Sequence, residues 1–338
     1  MKNSTQYIWL GPSIFFMLII FAACAGTKLN NGGSKGPVVG ASWNLPLPGK
    51  SMIGMVWINP GTFTMGSPVS EPGRKTDEGP ETRVTLTKGF WLGKTELTIG
   101  AWRALTGIGI HGQVISMLND DVVYDFGGQQ KTLRDFMGFQ RNDPEKIVAN
   151  TTDSLPMYFV SWNDAVNYCQ LLTKQERAAG RLPEGYEYNL PTEAQWEFAC
   201  RAGTSGATFN GPMLLQVNHA AVLENIAWYG GNSTKNYTGK GLGNSFAGPR
   251  NAGEKLANAW GLQDMYGNLW EWCRDWYGPY TGGKRIDPTG PLTGTGRVNR
   301  GGSWGSAAAD ERSANRAKNP QPEKSAYRGF RIALCPVQ

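Results

Sequence analysis

The sequence predicts an α+β protein with two main helices, small mixed sheets and much irregular structure. Three observations support this fold class: many turn-forming and aromatic residues, two helix start signals, and a long C-terminal stretch without helical periodicity. The 338 residues include 45 Gly, 20 Pro and 13 Trp, more than a helical bundle or a doubly wound sheet protein uses. No apolar run after the N-terminal leader reaches the roughly 20 residues of a membrane helix, so we expect a water-soluble body.

The N-terminal leader has the form of an export signal. Lys2 is followed by an apolar run at 7–23, and the sequence FAAC stands at 21–24. Small residues before a cysteine resemble a bacterial lipobox, which predicts a lipoprotein signal peptide at 1–23 and lipidation of Cys24. A plain secretory signal cleaved near Ala25 is the alternative. Either signal predicts an exported protein.

The residues after the leader predict where the protein is displayed. By the same resemblance, Ala25 in place of Asp favours the outer membrane or the cell surface, with the lipid anchor as the membrane contact. Residues 24–50 are rich in Gly, Asn, Ser and Pro and have little to bury, which predicts a flexible tether. The folded domain is then expected at 51–335.

The charge pattern argues against a nucleic-acid partner. The formal net charge is +6, but Lys and Arg are interspersed with Asp and Glu and form no basic block. We therefore expect no binding to nucleic acid.

The first part of the domain predicts strands and a short helix. Apolar and small polar residues alternate at 55–66 around Pro60-Gly61, which predicts a hairpin. A second strand pair is expected at 83–92, and Thr98 precedes a short helix. Residues 107–150 show no firm pattern, so no element is predicted there.

Two helices are predicted from capping signals. Ser161 stands three residues before Asp164, and apolar residues follow at helical spacing, so we expect about four turns. Thr192 and Gln195 repeat the signal for a second helix that ends near Arg201. The residues that follow, more than a hundred, show no helical periodicity. This predicts loops and short strands.

Seven segments resemble the formylglycine-generating enzyme, or sulfatase-modifying factor, domain family. They occur in family order, and the resemblance implies a single-domain variant of the C-type lectin-like fold. The segments are NPGTFTMGS at 59–67, GFWLGKTELT at 89–98, LPMYFVSWNDAVNYC at 155–169, LPTEAQWEFACRAG at 190–203, NAWGLQDMYGNLWEWCRDWY at 258–277, RGGSW at 300–304 and GFRIAL at 329–334.

A calcium site is predicted at 264–271. Two carboxylates and an amide surround a glycine there, and Ca²⁺ is bound by carboxylates together with backbone carbonyls. The residues alone leave a solvated turn as the alternative, but similar domains bind structural calcium at this segment. The ligands that the resemblance implies are the side chains of Asp264 and Glu271, the carbonyls of Gly267 and Leu269, and, at a second site, Asn225 and Ile226.

The residues for oxidase chemistry are missing. The family's enzymes resemble one another in a segment after GGS[WYF] with two nearby cysteines, which bind copper and the substrate thiol. Ser306 stands at the first cysteine position, and no cysteine follows before Cys335. Serine forms no disulfide and is a poor Cu(I) ligand, so we expect neither copper nor this activity. The only two histidines, His111 and His219, lie far from any nucleophile motif, and there is no CxxC zinc pattern.

The cysteines and tryptophans each leave two interpretations. Export permits disulfides among the four body cysteines, with three possible pairings, but buried free thiols explain them equally well. A row of tryptophans could stack on sugars, although core packing is the better explanation for most of them. The residues concerned are Cys169, Cys200, Cys273 and Cys335, and Trp270, Trp272, Trp276 and Trp304.

These observations favour a non-catalytic, surface-displayed lipoprotein that binds a ligand with its segment at about 304–327. The resemblance implies this role, because in several bacterial and phage relatives this segment is the recognition surface, and in some it is diversified. The ligand is expected to be an extracellular or periplasmic protein or glycan. A formylglycine-generating oxidase and a structural cell-envelope lipoprotein are the alternatives. The candidate contact residues are Trp304, Gly305, Ser306, Asp310, Ala317, Lys318, Gln321, Glu323 and Tyr327.

Overall fold

The structure, a computed structural model, describes residues 37–125, 128–139, 144, 147–148, 151–216, 218–238 and 247–337. The predicted signal peptide at 1–23 and the lipidation position Cys24 lie outside these residues. Among the helices of the described residues, none combines the length and the apolar character that a membrane span requires.

Helices and short strands alternate with long loops throughout the described part of the chain. The helices there are α1 (Ile99–Thr106), α2 (Ile110–Leu118), α3 (Leu133–Met137), α4 (Trp162–Ala178) and α5 (Glu193–Arg201). The strands there are β1 (Ser42–Pro46), β2 (Met52–Ile58), β3 (Gly61–Met65), β4 (Thr82–Leu86), β5 (Phe90–Gly93), β6 (Val123–Asp125), β7 (Gln130–Thr132), β8 (Tyr186–Asn189), β9 (Ala227–Trp228), β10 (Tyr266–Gly267), β11 (Trp270–Trp276), β12 (Lys284–Ile286), β13 (Arg297–Arg300), β14 (Arg316–Asn319), β15 (Arg328–Gly329) and β16 (Ala333–Pro336). The predicted α+β class is confirmed.

The largest sheet in the described residues joins the two ends of the domain. Its strand order is β1-β2-β5-β16-β8, so the last strand of the chain lies between β5 and β8. β1 falls inside the segment predicted as a tether, pairs antiparallel with β2, and buries Leu45 completely. The folded domain thus begins before the boundary expected at residue 51.

The pairing predicted for the hairpin at 55–66 and for the strand pair at 83–92 is wrong, although all four strands exist. β2 pairs with β5, and β3 pairs with β4, so the two pairs are nested along the chain. The reason is burial on both faces of β2: Met55 belongs to one core cluster and Val56 to the other. A strand covered on both faces is stable in the middle of a sheet, and β1 and β5 take its two edges.

The predicted helix starts are confirmed at both main helices. Ser161 caps α4 and Thr192 caps α5, each with the reciprocal side-chain bonds of a capping box. The short helix after Thr98 is also present as α1, whose third residue donates its N–H to the Thr98 hydroxyl. α5 is buried along its whole length, because sheets and loops cover all of its faces.

The C-terminal part of the chain forms a second sheet with the order β14-β13-β11-β15. β11 carries the predicted calcium residue Glu271, and β13 leads directly into the predicted recognition segment. A third sheet has the strand order β12-β4-β3. Of the tryptophans discussed above, Trp272 and Trp304 are buried in the core, while Trp270 and Trp276 are half-buried.

Candidate functional site

An aromatic stack forms the centre of the predicted recognition segment. The rings of Trp304 and Tyr327 lie 4.5 Å apart at an interplanar angle of 23°. Trp304 is 2% exposed, and its indole N–H donates to the Ala326 carbonyl, whereas Tyr327 is 42% exposed. Of these two predicted contact residues, Tyr327 is therefore accessible to a ligand, whereas Trp304 is buried and packs against the Tyr327 ring.

Gly305 lies beside this stack and is exposed. A Cβ at this position would lie 2.6 Å from the Tyr327 ring, so a side chain here would displace the tyrosine. Ser306, the next residue, is half-buried, and its hydroxyl lies 2.9 Å from the Ser303 hydroxyl and accepts the Ser303 N–H. At Ser306, the position that the family resemblance assigns to the first cysteine, a hydroxyl linked to the Ser303 hydroxyl thus stands in place of a thiol.

Glu311 is a residue of this segment that the sequence analysis missed. It is completely buried, and neither carboxyl oxygen accepts a hydrogen bond. The N–H groups of Ser303 and Gly267 lie near it and partly offset the effect of burial, but neither has hydrogen-bonding geometry. Burial, with a smaller contribution from Asp310, raises the pKa of Glu311 well above its usual value. Two adjacent acidic residues, Asp310 and Glu311, in a segment of mostly small residues at 305–314 were the available signal.

Buried arginines fix the backbone of the predicted recognition segment. The Arg312 guanidinium bonds both oxygens of Glu78 at 2.5 and 2.7 Å and Glu71 at 2.7 Å. Arg316 makes a two-point contact with Glu193, the first residue of α5. Ion pairs that are removed from water and fully hydrogen-bonded hold a definite geometry, so this segment presents a fixed surface.

The remaining predicted contact residues form ion pairs, lie on β14 or follow it in the chain. Asp310 pairs with Lys75 at 2.7 Å, and Glu323 pairs with Arg328 at 3.0 Å. Lys318 is exposed on β14. The other two are half-buried: Ala317, which pairs with Asn299 across the sheet, and Gln321, whose carbonyl accepts the Trp162 N–H.

The predicted calcium residue Glu271 is already saturated by protein donors. Arg331 bonds both of its oxygens at 2.6 Å, and the Trp196 indole N–H adds a bond of 2.7 Å. The predicted carbonyl positions Gly267 and Leu269 are both buried. A Cβ at Gly267 would lie 2.1 Å from the Trp228 carbonyl oxygen, so the chain requires glycine for packing here.

Two further carboxyl groups, those of Glu96 and Asp264, are buried near Glu271 and have oxygens without a hydrogen-bond donor. Both oxygens of Glu96 and one oxygen of Asp264 accept no hydrogen bond. Burial, Asp264 and Glu271 raise the pKa of Glu96 well above its usual value, and burial raises the pKa of Asp264 to about 6. Glu96 was missed in the sequence, although an acidic residue between Thr95 and Leu97, at the end of an apolar strand, was a visible signal.

This donor set fits calcium in charge but is incomplete in side chains. When ionised, the carboxylates of Glu96, Asp264 and Glu271 together with the Arg331 guanidinium carry a formal charge of −2, which one Ca²⁺ would balance. Within the described ranges, no group of three or more His, Cys, Asp or Glu side chains converges as a metal site. Backbone carbonyls would have to complete the coordination shell.

The surroundings of the second predicted calcium site are cationic. Asn225 is exposed and its carbonyl accepts the Leu256 N–H, while Ile226 is buried. The ammonium group of Lys255 lies 3.7 Å from the Trp228 ring centroid and donates to the carbonyl of Glu224. A fixed positive charge beside these residues opposes the binding of a cation there.

The four cysteines of the described residues are free and buried. This decides between the two interpretations left open by the sequence: here they are core thiols. Burial raises the pKa of both Cys200 and Cys335 to about 11, and it raises those of Cys169 and Cys273 as well. Cu(I) binds thiolates, and these groups are protonated at neutral pH.

Solved structures define the fold class of this domain. Variable protein 1 of Treponema denticola superposes with a TM-score of 0.62 at 23% identity, over 89% of this chain and 100% of that chain. PvdO of Pseudomonas aeruginosa superposes with a TM-score of 0.61 at 25% identity, over 89% of this chain and 99% of that chain. The domain has the C-type lectin-like fold that the sequence predicts.

The family follows from sequence comparison. A model described as "Sulfatase-modifying factor enzyme 1-like domain" matches residues 45–335, and the chain belongs to this family. It is 34% identical over 212 residues to the formylglycine-generating enzyme of Thermomonospora curvata, which covers 57% of this chain and 61% of that enzyme. The chain thus spans less than two thirds of that relative's length.

Proposed function

We propose that this protein is a non-catalytic ligand-binding lipoprotein on the outer membrane or cell surface, anchored by a lipid on Cys24. Its segment at 304–327 contacts an extracellular or periplasmic protein or glycan. Structural calcium at Asp264 belongs to the proposal, and neither copper nor nucleic acid does.

One observation carries the proposal: the segment has an exposed aromatic surface in place of a thiol pair. Ser306 offers a hydroxyl, which cannot form the mixed disulfide of the oxidase reaction and binds Cu(I) poorly. Tyr327 is exposed and is held by its stack on Trp304. Tyrosine supplies a large contact area at a low cost in side-chain entropy, which suits a recognition surface.

The fixed backbone of the segment adds support. Arg312 and Arg316 hold it through buried ion pairs, so a ligand would not have to order the loop when it binds. Preorganisation of this kind increases affinity, because less conformational entropy is lost on association.

Binding is tested by removing the exposed ring. The full-length protein is screened on arrays of glycans and of envelope proteins, and each hit is titrated against Tyr327→Ala. The control is Phe136→Ala, since Phe136 is an aromatic residue of similar exposure, 47%, on α3. We expect Tyr327→Ala to weaken binding at least about tenfold and the control to leave it unchanged. Equal effects of the two substitutions would contradict the assignment of this surface.

A formylglycine-generating oxidase is the second candidate, favoured by the similarity to the Thermomonospora curvata enzyme. The protein is incubated with Cu(I), oxygen and a peptide containing Cys-x-Pro-x-Arg, and the peptide mass is followed. We expect the thiol to remain. Conversion of the cysteine to an aldehyde would refute the non-catalytic proposal.

A further inference from the structure

A cavity of about 550 Å³ lies beside the N-terminus of α5 and the end of β11. Its wall is mainly apolar, and none of the predicted contact residues lines it. Its volume lies within the roughly 300–1,000 Å³ of small-molecule sites, which combine apolar walls with a few polar groups. Residues that form the apolar wall are Met65, Val84, Trp276, Pro279, Tyr280 and Pro291.

Glu193 lies in the wall but has no free acceptor for a ligand. Arg316 donates to both of its oxygens at 2.7 and 2.8 Å, and the Tyr280 hydroxyl donates at 3.1 Å. Arg316 is thereby neutralised as well. A second cation, Arg285, is exposed at the rim and donates to the Thr281 hydroxyl.

Asp275 is the polar group of the cavity whose charge is not compensated. It is 4% exposed, and its one hydrogen bond is accepted from the Glu193 N–H at 2.9 Å. No Lys or Arg of the described residues pairs with it. Gly290 packs against Asp275: a Cβ at position 290 would lie 2.9 Å from the Asp275 Cβ. A carboxylate that is buried without a cation destabilises the folded state. A ligand with a positively charged group would supply the missing partner.

We propose that this cavity binds a small organic amine with an apolar body. Its ammonium group would bond to the Asp275 carboxylate, while the body packs against Trp276, Tyr280 and the prolines of the wall. None of the predicted contact residues lines this site, although Arg316 of the segment at 304–327 does, and the proposal does not depend on the function proposed for that segment.

Three probes of similar shape and different charge test the proposal. Phenethylamine, 2-phenylethanol and 3-phenylpropionate are titrated into the full-length protein, with binding measured by calorimetry and ligand-observed NMR. A charge-assisted hydrogen bond in a buried site distinguishes ligands strongly. We expect the amine to bind at least about tenfold more tightly than the alcohol, and the carboxylate to bind weakest.

Two variants locate the site. Asp275→Asn keeps the shape and the acceptor for the Glu193 N–H, and it should abolish the preference for the amine. Thr289→Trp places a large ring at the exposed rim and should weaken all probes without altering the core. Asp153→Asn, which changes an exposed carboxylate outside the cavity, serves as the control and should retain the preference.

Several results would overturn the proposal. They are the absence of binding by all three probes at millimolar concentration, tighter binding of the carboxylate, or an amine preference that survives Asp275→Asn. If that variant does not fold, the amine preference of the wild-type protein and the weaker binding of all three probes to Thr289→Trp still decide the question.

Discussion

Asp275→Asn should stabilise the protein above neutral pH, although it removes a carboxylate that accepts a hydrogen bond. Burial and the nearby Glu193 raise the pKa of Asp275 from 3.8 to about 7, while Arg274 and Arg316 only partly oppose them. Between these two pKa values, Asp275 thus keeps its proton in the folded state, whereas the unfolded chain has already released it. Asn keeps the acceptor for the Glu193 N–H without the cost of an ionised, buried oxygen.

The sign and size follow from proton linkage. Below about pH 4 the carboxyl is protonated in both states and costs nothing. Between about pH 4 and 7 it ionises first in the unfolded state, so wild-type stability falls as the pH rises, and above pH 7 the full cost remains. A shift of about three pKa units corresponds to roughly 4 kcal/mol. We therefore expect the variant to be about 2–4 kcal/mol more stable at pH 8.5 and nearly equal at pH 4.

Urea unfolding of the two full-length proteins between pH 4 and 8.5 measures this difference. Other buried carboxyl groups also titrate in this range, but their contributions cancel between wild type and variant because the two proteins share them. A difference that does not change with pH would show that Asp275 has an ordinary pKa. A variant that is less stable at pH 8.5 would show that the charge is stabilised by a partner, and it would refute the reasoning.

The remaining predictions concern ion pairs, calcium and thiols. Arg312→Met should cost about 3–5 kcal/mol, because it leaves buried carboxylates unpaired, whereas Lys75→Met, which breaks an exposed pair, should cost less than about 1 kcal/mol; urea unfolding compares them. Asp264→Asn should abolish any rise of Tm on adding calcium without lowering Tm in EGTA, whereas Glu271→Ala should lower Tm in EGTA as well, since it strands a buried guanidinium; a calcium response that persists in Asp264→Asn would contradict this site. The four described cysteines should react with iodoacetamide only after unfolding, and rapid labelling of the native protein, followed by mass spectrometry, would contradict their burial.

The sequence predicted the elements that depend on neighbouring residues. The capping hydroxyls of Ser161 and Thr192 and the acceptors three residues later define their helix starts through local hydrogen bonds, so a short window of sequence contains the signal. The strands at 52–65 and 82–93 were also recognisable from their composition. Their pairing was not, because it depends on β1 and β16 occupying sheet positions that no local pattern specifies.

Long-range contacts explain what the sequence could not show at the site. Arg312 and Glu78 are 234 positions apart in the chain, and nothing in either neighbourhood identifies the other as its partner. The family resemblance supplied Glu271 as a calcium residue, but it could not show that Arg331 bonds both of its oxygens. The carboxyl group of Glu96 also lies near Glu271. The sequence could not show this, because it depends on the pairing of β5 with β16.

The distribution of buried charge separates structural groups from candidate binding groups. Buried carboxylates such as Glu78, Glu193 and Glu271 each have an arginine partner within hydrogen-bonding distance, so their charge is compensated within the protein. Four other buried carboxyl groups have no such partner in the described residues, and they lie at three places. These are the predicted calcium site with Glu96 and Asp264, the predicted recognition segment with Glu311, and the apolar cavity with Asp275. Burial favours the neutral form of such groups, and a cationic ligand that bound beside one of them would favour its ionised form. Calcium would act at the first and an amine at the third, and two different ligands would then stabilise one domain independently.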